Sequence, residues 1–470
     1  MTNGHKVLLS FHGGVGSVTG SNFLLEGERT KLLIDCGLIQ GEKFAHALNR
    51  EPFAYDPASI DCLLVTHAHI DHIGRIPKLV RDGFRGRIVS TPQTLDLSRL
   101  MLPDAFSVLR SEMSEGEELL YEEKDITAAF SLWETREYHQ PFSAGEFEVE
   151  MKDSGHILGS AMCEITRIAD RRGLDADKRG QESVRKIVFT GDLGSFPTPL
   201  LNNAEEVTDT TYLVMESVYG DRNHEGGERR KERLKNVMQD TIRKKGTLLI
   251  PCFSLEKTQV LLSEMDELFE DTRLFNVPVF LDSPLAIKVT DVYRRYANTL
   301  KPEAQKRLAG GDDIFSFKDL QLTMDRRASS EIERTQSPKI IIAGSGMSAG
   351  GRILEHERRY LGDPKNTILF IGYQAVGGLG RQIQEGVKHI RINHEEVEVH
   401  ARIETITGYS SHMDGEHLLE FASKSAETLE KVFVVMGEPR SALFLAQRIR
   451  DYAGVEASVP QLGERVEIEL

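Results

Sequence analysis

Apolar residues fall in short runs cut by glycine, proline and polar clusters, and the spacing inside each run predicts its element. "SNFLLEG" and "TKLLIDCG" read as two strands of a hairpin. "DCLLVTH", "GRIVSTP", "FEVEMKDSG", "AMCEITRIA", "RKIVFTGD" and "TYLVMES" follow as further strands. The stretch from Leu95 to Leu109 has helical periodicity instead. The polar segment from Asp170 to Lys186 predicts a long surface hairpin loop.

The rhythm changes after Glu216. A charged stretch, "GDRNHEGGERRKERLKNVMQDTIRKKG", opens a region of strand–helix alternation. "GTLLIPCF", "VPVFLDSP", "KIIIAGSG" and "NTILFIGYQ" are apolar throughout, the pattern of parallel strands buried on both faces. From Val397 alternating strands return, and "SALFLAQRIRDYA" predicts a last helix. The order predicts an α/β protein in which one domain, residues 1–218 and 391–470, is interrupted by a second, residues 219–390.

Composition narrows this picture without redirecting it. A chain of 470 residues exceeds what one core usually organises. It carries no apolar run of membrane-spanning length, and "MTNGHKVLLSFHGG" lacks the layout of a signal peptide, so a cytoplasmic protein is expected. Cys36, Cys62, Cys163 and Cys252 are far apart and form no CxxC pair, which argues against disulfides and thiolate zinc sites. The formal charge of −15 excludes a surface coated for nucleic-acid binding but leaves room for a local basic groove.

"VTHAHIDHIG" places His67, His69, Asp71 and His72 on one short turn after an apolar strand. Imidazole and carboxylate both bind zinc, and so many ligands in so few positions can be shared between two adjacent ions. His156 on the turn "DSGHILGSA" and Asp192 after the strand in "VFTGDLG" are the further ligand candidates, each alone readable as an ordinary turn or cap residue. Asp35, at the end of "LLIDCG", suits a carboxylate that orients a histidine rather than a ligand.

With these residues in order, the chain resembles the metallo-β-lactamase fold. "MESVYG" with Glu216, "GYSSHMD" with His412, "AGSGMSAGGR" and "FIGYQAVGGLGRQ" are similar to its β-CASP branch, the nucleases of RNA processing and DNA repair. The nearest likeness is to bacterial and archaeal relatives of the pre-mRNA 3′-end cleavage endonuclease. The resemblance implies a four-layer αββα sandwich with an inserted α/β β-CASP domain over its metal edge. It implies one zinc on His67, His69 and His156 and a second on Asp71, His72 and Asp192, with Asp192 bridging. It further implies hydrolysis of single-stranded RNA by metal-activated hydroxide, with Asp71, Glu216 and His412 as catalytic residues. His412, kept charged by Glu216, would protonate the leaving oxygen.

At one position the chain departs from the RNA-acting members, whose next strand ends in a histidine ligand. Here "VFVVMGEPRSA" carries Met436, a soft thioether that suits zinc poorly. The second ion, zinc or manganese, is therefore expected to bind more weakly. A DNA nuclease of the same branch and a catalytically impaired nucleic-acid-binding homologue are the alternatives. His394 and His400, in an alternating strand, read as solvent-facing. For the substrate, the glycine-rich loop Gly344–Gly351 could offer backbone N–H groups to a phosphate, through Ser345 and Gly346, with Arg352 and Arg381 as cations. The basic run Arg229–Lys245 lacks interleaved aromatics and reads as a solvated helix face. Specificity must then come from a cleft or a partner; a homodimer is one open assembly.

Overall fold

The computed structural model describes residues 6–41, 44–111, 113, 116–168, 184–271, 276–375 and 377–470; the predicted hairpin loop at Asp170–Lys186 lies almost wholly outside them. The chain divides into two compact units: Met1–Thr198 with Asn202–Asn223 and His412–Leu470, and Pro199–Leu201 with His224–Ser411. Residues 391–411, which the hydrophobic pattern assigned to the returning domain, belong to the second unit.

The first unit is a sandwich of two sheets. One contains β1 (Lys6–Gly13), β2 (Asn22–Glu26), β3 (Lys31–Ile34), β4 (Cys62–Leu64), β5 (Arg87–Ser90) and β6 (Trp133–Thr135). The other contains β7 (Phe142–Ala144), β8 (Phe147–Asp153), β9 (Ala161–Arg167), β10 (Lys186–Phe189) and β11 (Tyr212–Glu216). The second unit supplies β12 (Thr247–Pro251), β13 (Val279–Asp282), β14 (Leu320–Leu322), β15 (Lys339–Ala343), β16 (Thr367–Phe370), β17 (His389–Ile392), β18 (Glu395–Glu398) and β19 (Arg402–Thr405). The chain then returns to the sandwich with β20 (Lys431–Val435), β21 (Glu456–Ser458) and β22 (Arg465–Glu469).

The sandwich sheets run β22-β1-β2-β3-β4-β5-β6 and β21-β20-β11-β10-β9-β8-β7. Their inner faces bury Phe11, Phe23, Ile34, Leu64, Val149, Cys163, Phe189, Val214 and Phe433 in one core. Phe11 meets Phe433 at 5.4 Å and Phe23 meets Phe189 at 6.2 Å, both across the two sheets. Residues alternate along β8: Phe147, Val149 and Met151 are buried, while Glu148, Glu150 and Lys152 are less so. Outside the second sheet, Val188, Leu213, Val432 and Val434 pack on helices Gly415–Ser423 and Pro439–Arg448 through Leu418, Phe421 and Leu445. Helices are attached outside the first sheet as well, among them Pro92–Ser111, which covers the predicted Leu95–Leu109. The result is the four-layer αββα architecture.

The second unit is built on a parallel sheet, β14-β13-β15-β12-β16-β19. Its strands β12, β13, β15 and β16 are fully buried, as continuous apolar runs require. The final strand, β19, pairs in parallel with β16, which is why residues 391–411 stay in this unit. His394 and His400 are exposed, as their alternating pattern predicted.

Candidate metal centre

One edge of the sandwich collects the predicted ligands because parallel strands end there together. β3 and β4 are parallel, and so are β10, β11 and β20. Asp35, Thr66–His72, Asp192 and Met436 follow the C-terminal ends of these strands, and Glu216 is the last residue of β11. β9 runs antiparallel to β10, so the loop before it delivers His156 to the same edge. The Ala161 amide donates to the Thr66 carbonyl at 2.8 Å, fastening that loop to the histidine turn. After β3 the backbone passes the helix Ile70–Ile73 so closely that a Cβ on Gly37 would lie 1.5 Å from the Asp71 carbonyl oxygen. Only glycine fits there.

His67, His69, His156 and Asp192 each aim a ligand atom inward, all within 4.8 Å of one another. His67 Nε2 and His156 Nε2 approach His69 Nδ1 at 3.1 and 3.2 Å, and each lies 3.5 Å from Asp192 Oδ2. On the other side of Asp192, His72 Nε2 lies 3.4 Å from its Oδ1 and 3.8 Å from Asp71 Oδ2. Asp192 thus faces both groups of ligands with different oxygens. His412 Nδ1 is 3.2 Å from Glu216 Oε1 and 3.8 Å from Asp192 Oδ2.

Asp35 lies behind this constellation. Its carboxylate accepts from Ser21 Oγ at 3.0 Å, from the Thr66 amide at 2.8 Å and from His72 Nδ1 at 2.7 Å. A carboxylate on Nδ1 fixes the proton there and turns the Nε2 lone pair toward Asp71 and Asp192. Thr66 Oγ1 also reaches Asp35 and lies 3.1 Å from His67 Nδ1. Nothing in the spacing around Thr66 marks this role; only its contact with a residue 31 positions earlier reveals it.

Two buried atoms, His72 Nε2 and Asp192 Oδ1, have no hydrogen-bond partner. Leaving a buried polar atom unmatched costs about 1–3 kcal/mol, so facing orphans on a nitrogen and a carboxylate fit a cation between them. The electrostatics agree. Burial pushes Asp71 up to about 6. Burial opposes charge on His72, but the Asp192 and Asp35 carboxylates outweigh it and raise its pKa. Burial likewise opposes charge on Asp192, and the surrounding His72, His412 and His67 lower it well below the usual carboxylate range. A set of imidazoles and carboxylates compressed at this density fits divalent metal ions.

Met436 occupies the end of β20 with φ +46°, and its side chain is buried in the core between the sheets. Its amide donates to the Gly14 carbonyl at 2.6 Å, and a Cβ on Gly14 would lie 2.4 Å from its sulfur. The thioether therefore packs against Gly14 as an apolar side chain.

In the second unit, Ser345 and Gly346 follow β15 in the loop Gly344–Gly351. Ser345 Oγ accepts from the Ala349 amide at 3.0 Å, and Gln374 Nε2 donates to the Gly346 carbonyl at 2.8 Å. Arg352 does not stand open: its Nη1 donates to Asp282 Oδ1 at 2.6 Å and to the Thr323 carbonyl, and its Nη2 to the Met324 carbonyl. Arg381 pairs with Glu385 at 2.7 Å on the surface. The basic run Arg229–Lys245 forms the helix Gly227–Arg243, where Arg230 is buried against Glu264 rather than solvated.

A sandwich whose strand ends gather histidines and aspartates around a buried carboxylate defines a metal-dependent hydrolase of the metallo-β-lactamase fold. The chain belongs to the β-CASP family of that fold. Residues 258–383 match the Beta-Casp domain, and residues 396–460 match the Zn-dependent metallo-hydrolase RNA specificity domain. Residues 14–207 match the family of the Anti-Pycsar protein Apyc1. Ribonuclease TTHA0252 of Thermus thermophilus is 32% identical over 456 residues, spanning 97% of this chain and 99% of that protein. Transcription termination factor FttA of Pyrococcus horikoshii is 30% identical over 467 residues, spanning 95% of this chain and 69% of that protein. A crystal structure of a protein of unknown function from Enterococcus faecalis V583 shares the fold with a TM-score of 0.55 at 11% identity, over 98% of this chain and all of that one. Among the described residues no helix is long and apolar enough to cross a membrane.

Proposed function

We propose that this chain is a cytoplasmic zinc-dependent ribonuclease that hydrolyses phosphodiester bonds of single-stranded RNA. The observation that carries the reading is the four-residue cluster of His67, His69, His156 and Asp192, with its ligand atoms within 4.8 Å, in a chain similar along its length to a named ribonuclease. These residues would hold one zinc. Asp71, His72 and the second oxygen of Asp192 would hold another, with manganese as the alternative. Ions so held neutralise charge developing on a phosphate and lower the pKa of water.

The chain's own groups do the rest. Asp35 orients His72 through Nδ1. Glu216 accepts from the amides of Leu193 and Val218, which fixes its carboxylate beside His412. The His412 side chain is 22% exposed, whereas His67, His72, His156 and Asp192 are buried, and so it reaches solvent and a leaving oxygen. In this reading it donates the proton and Glu216 orients it. Ser345 and Gly346 belong to a phosphate-binding loop, whereas the charges of Arg352 and Arg381 are already matched by carboxylates.

Met436 favours a second reading, a DNA nuclease of the same branch, because it supplies no hard ligand. One experiment separates the two. Zinc-loaded protein is incubated with 5′-labelled single-stranded RNA and with matched DNA, beside a His67→Ala control. Cleavage of RNA that the control abolishes is expected. Preference for DNA would replace the reading, and RNA cleavage persisting in the control would assign it to a contaminant.

A further inference from the structure

The second unit contains a cation that, among the described residues, pairs with no carboxylate, at a place where the parallel sheet presents backbone. Lys257 opens the helix Lys257–Asp271 just after β12. Its Nζ lies 4.3 Å from the centroid of the Phe253 ring. Among the described residues it makes no ion pair and no side-chain hydrogen bond. Lys339, a buried lysine of this sheet, donates instead to the carbonyls of Ile332 and Thr335. Burial pushes Lys257 down to about 8, opposed only by the Cys252 thiol, so no carboxylate answers its charge.

The surroundings are shaped by glycine. β15 and β16 flank β12, and the turns after them bring Gly346 and Gly372 onto the same Phe253 ring. A Cβ on Gly346 would lie 2.3 Å from that ring; one on Gly372 would lie 3.0 Å from the ring and 3.2 Å from Lys257 Nζ. A side chain at Gly346 would displace the ring and one at Gly372 would crowd the ring and the lysine, so backbone borders the ammonium. Ser254, three residues before it, has its hydroxyl 3.3 Å from that of Ser283, next to Gly344. An aromatic ring holds the lysine in place, glycine backbone borders it, and an anion is missing from the balance.

We infer that Lys257, held on Phe253 between the glycine turns at 346 and 372, binds a backbone phosphate of the single-stranded RNA. This rests on the ribonuclease reading and supplies the phosphate-binding cation that Arg352 and Arg381, each engaged with a carboxylate, do not.

The test is binding, kept apart from cleavage. Anisotropy of a short 5′-labelled single-stranded RNA is followed on the full chain carrying His412→Ala, with Lys257 intact or changed to Met, Gln or Arg, across a salt series. Thermal unfolding confirms that each variant is folded, and Gln serves should Met not fold. Removing the charge is expected to weaken binding about tenfold and to reduce the slope of log affinity against log salt by about 0.7, the release of one counterion from a single strand. Lys257→Arg should keep the slope. Unchanged affinity and slope overturn the inference, as does weaker binding with an unchanged slope, which marks a purely structural lysine. No RNA binding by the parent overturns both readings. Lys257-dependent binding without cleavage by the zinc-loaded native chain overturns the ribonuclease reading alone.

Discussion

The histidine cluster of the first unit and the glycine loop of the second were both predicted as sites, but they differ in what the protein leaves unsatisfied. In the first, the flagged residues converge and two of their buried atoms, His72 Nε2 and Asp192 Oδ1, find no partner. In the second, the flagged arginine is fully used: Asp282 and two carbonyls take up the Arg352 guanidinium. Asp282 also accepts from His356, Ser329 and Thr323, and these bonds hold its carboxyl far below the usual range although burial pushes the other way. That arginine stabilises the fold. A different cation of the second unit, Lys257, has no carboxylate answering its charge, and no motif had marked it. The first site is marked by facing polar atoms buried without a protein partner, a cost that a bound cation can offset.

The largest effect expected within the first site is from His412→Ala. Its Nδ1 faces Glu216 and Asp192, but it is not part of the four-residue cluster around His69. Turnover should fall by about 10²- to 10⁴-fold, the usual worth of a general acid, while zinc content measured by elemental analysis stays as in the native protein. Loss of zinc along with activity would make His412 a ligand and dissolve the distinction between holding an ion and moving a proton.

Met436→His tests the expectation that a second ion is held more weakly than the first. The backbone there is left-handed, a region in which histidine is better tolerated than most side chains. The apolar contact with Gly14 would be lost, so a modest drop in melting temperature is expected. Against it, the new imidazole should raise affinity for the second ion, by about tenfold, the lower end of what a supporting residue contributes. Competition with a chromophoric chelator measures this. An unchanged second equivalent would mean that the strand end keeps its side chain in the core whatever residue stands there.

These outcomes bear on why one site was legible in the sequence and the other was not. His67, His69, Asp71 and His72 are neighbours, so spacing alone exposes them, and strand ends at Asp35, Asp192 and Glu216 follow from apolar runs. The partner of Arg352 is 70 positions away, and that of Arg230 is 34 away. Whether a basic residue is free or engaged is a tertiary fact. The same holds for the domain boundary: β19 alternates like a sandwich strand but pairs with β16. Local pattern predicts an element; it does not say which sheet receives it.

The smallest effect concerns how the glycine loop keeps its shape. Glu357 is buried under it, accepts from the Ser348 hydroxyl, and has a second oxygen without a partner. Burial pushes its carboxyl up to about 8, although the Ser348 bond opposes this. The folded protein therefore retains a proton that the unfolded chain has lost above the ordinary glutamate range. Its contribution to stability is complete at pH below about 4.5, declines as pH rises toward 8, and is flat beyond. Glu357→Gln preserves the shape and an oxygen for Ser348 but cannot ionise. Urea unfolding at pH 6 and pH 9, monitored on the second unit by hydrogen exchange, should show a smaller loss for the variant than for the native chain. Equal losses would place the proton elsewhere and leave the loop's shape to Gln374 and the glycines alone.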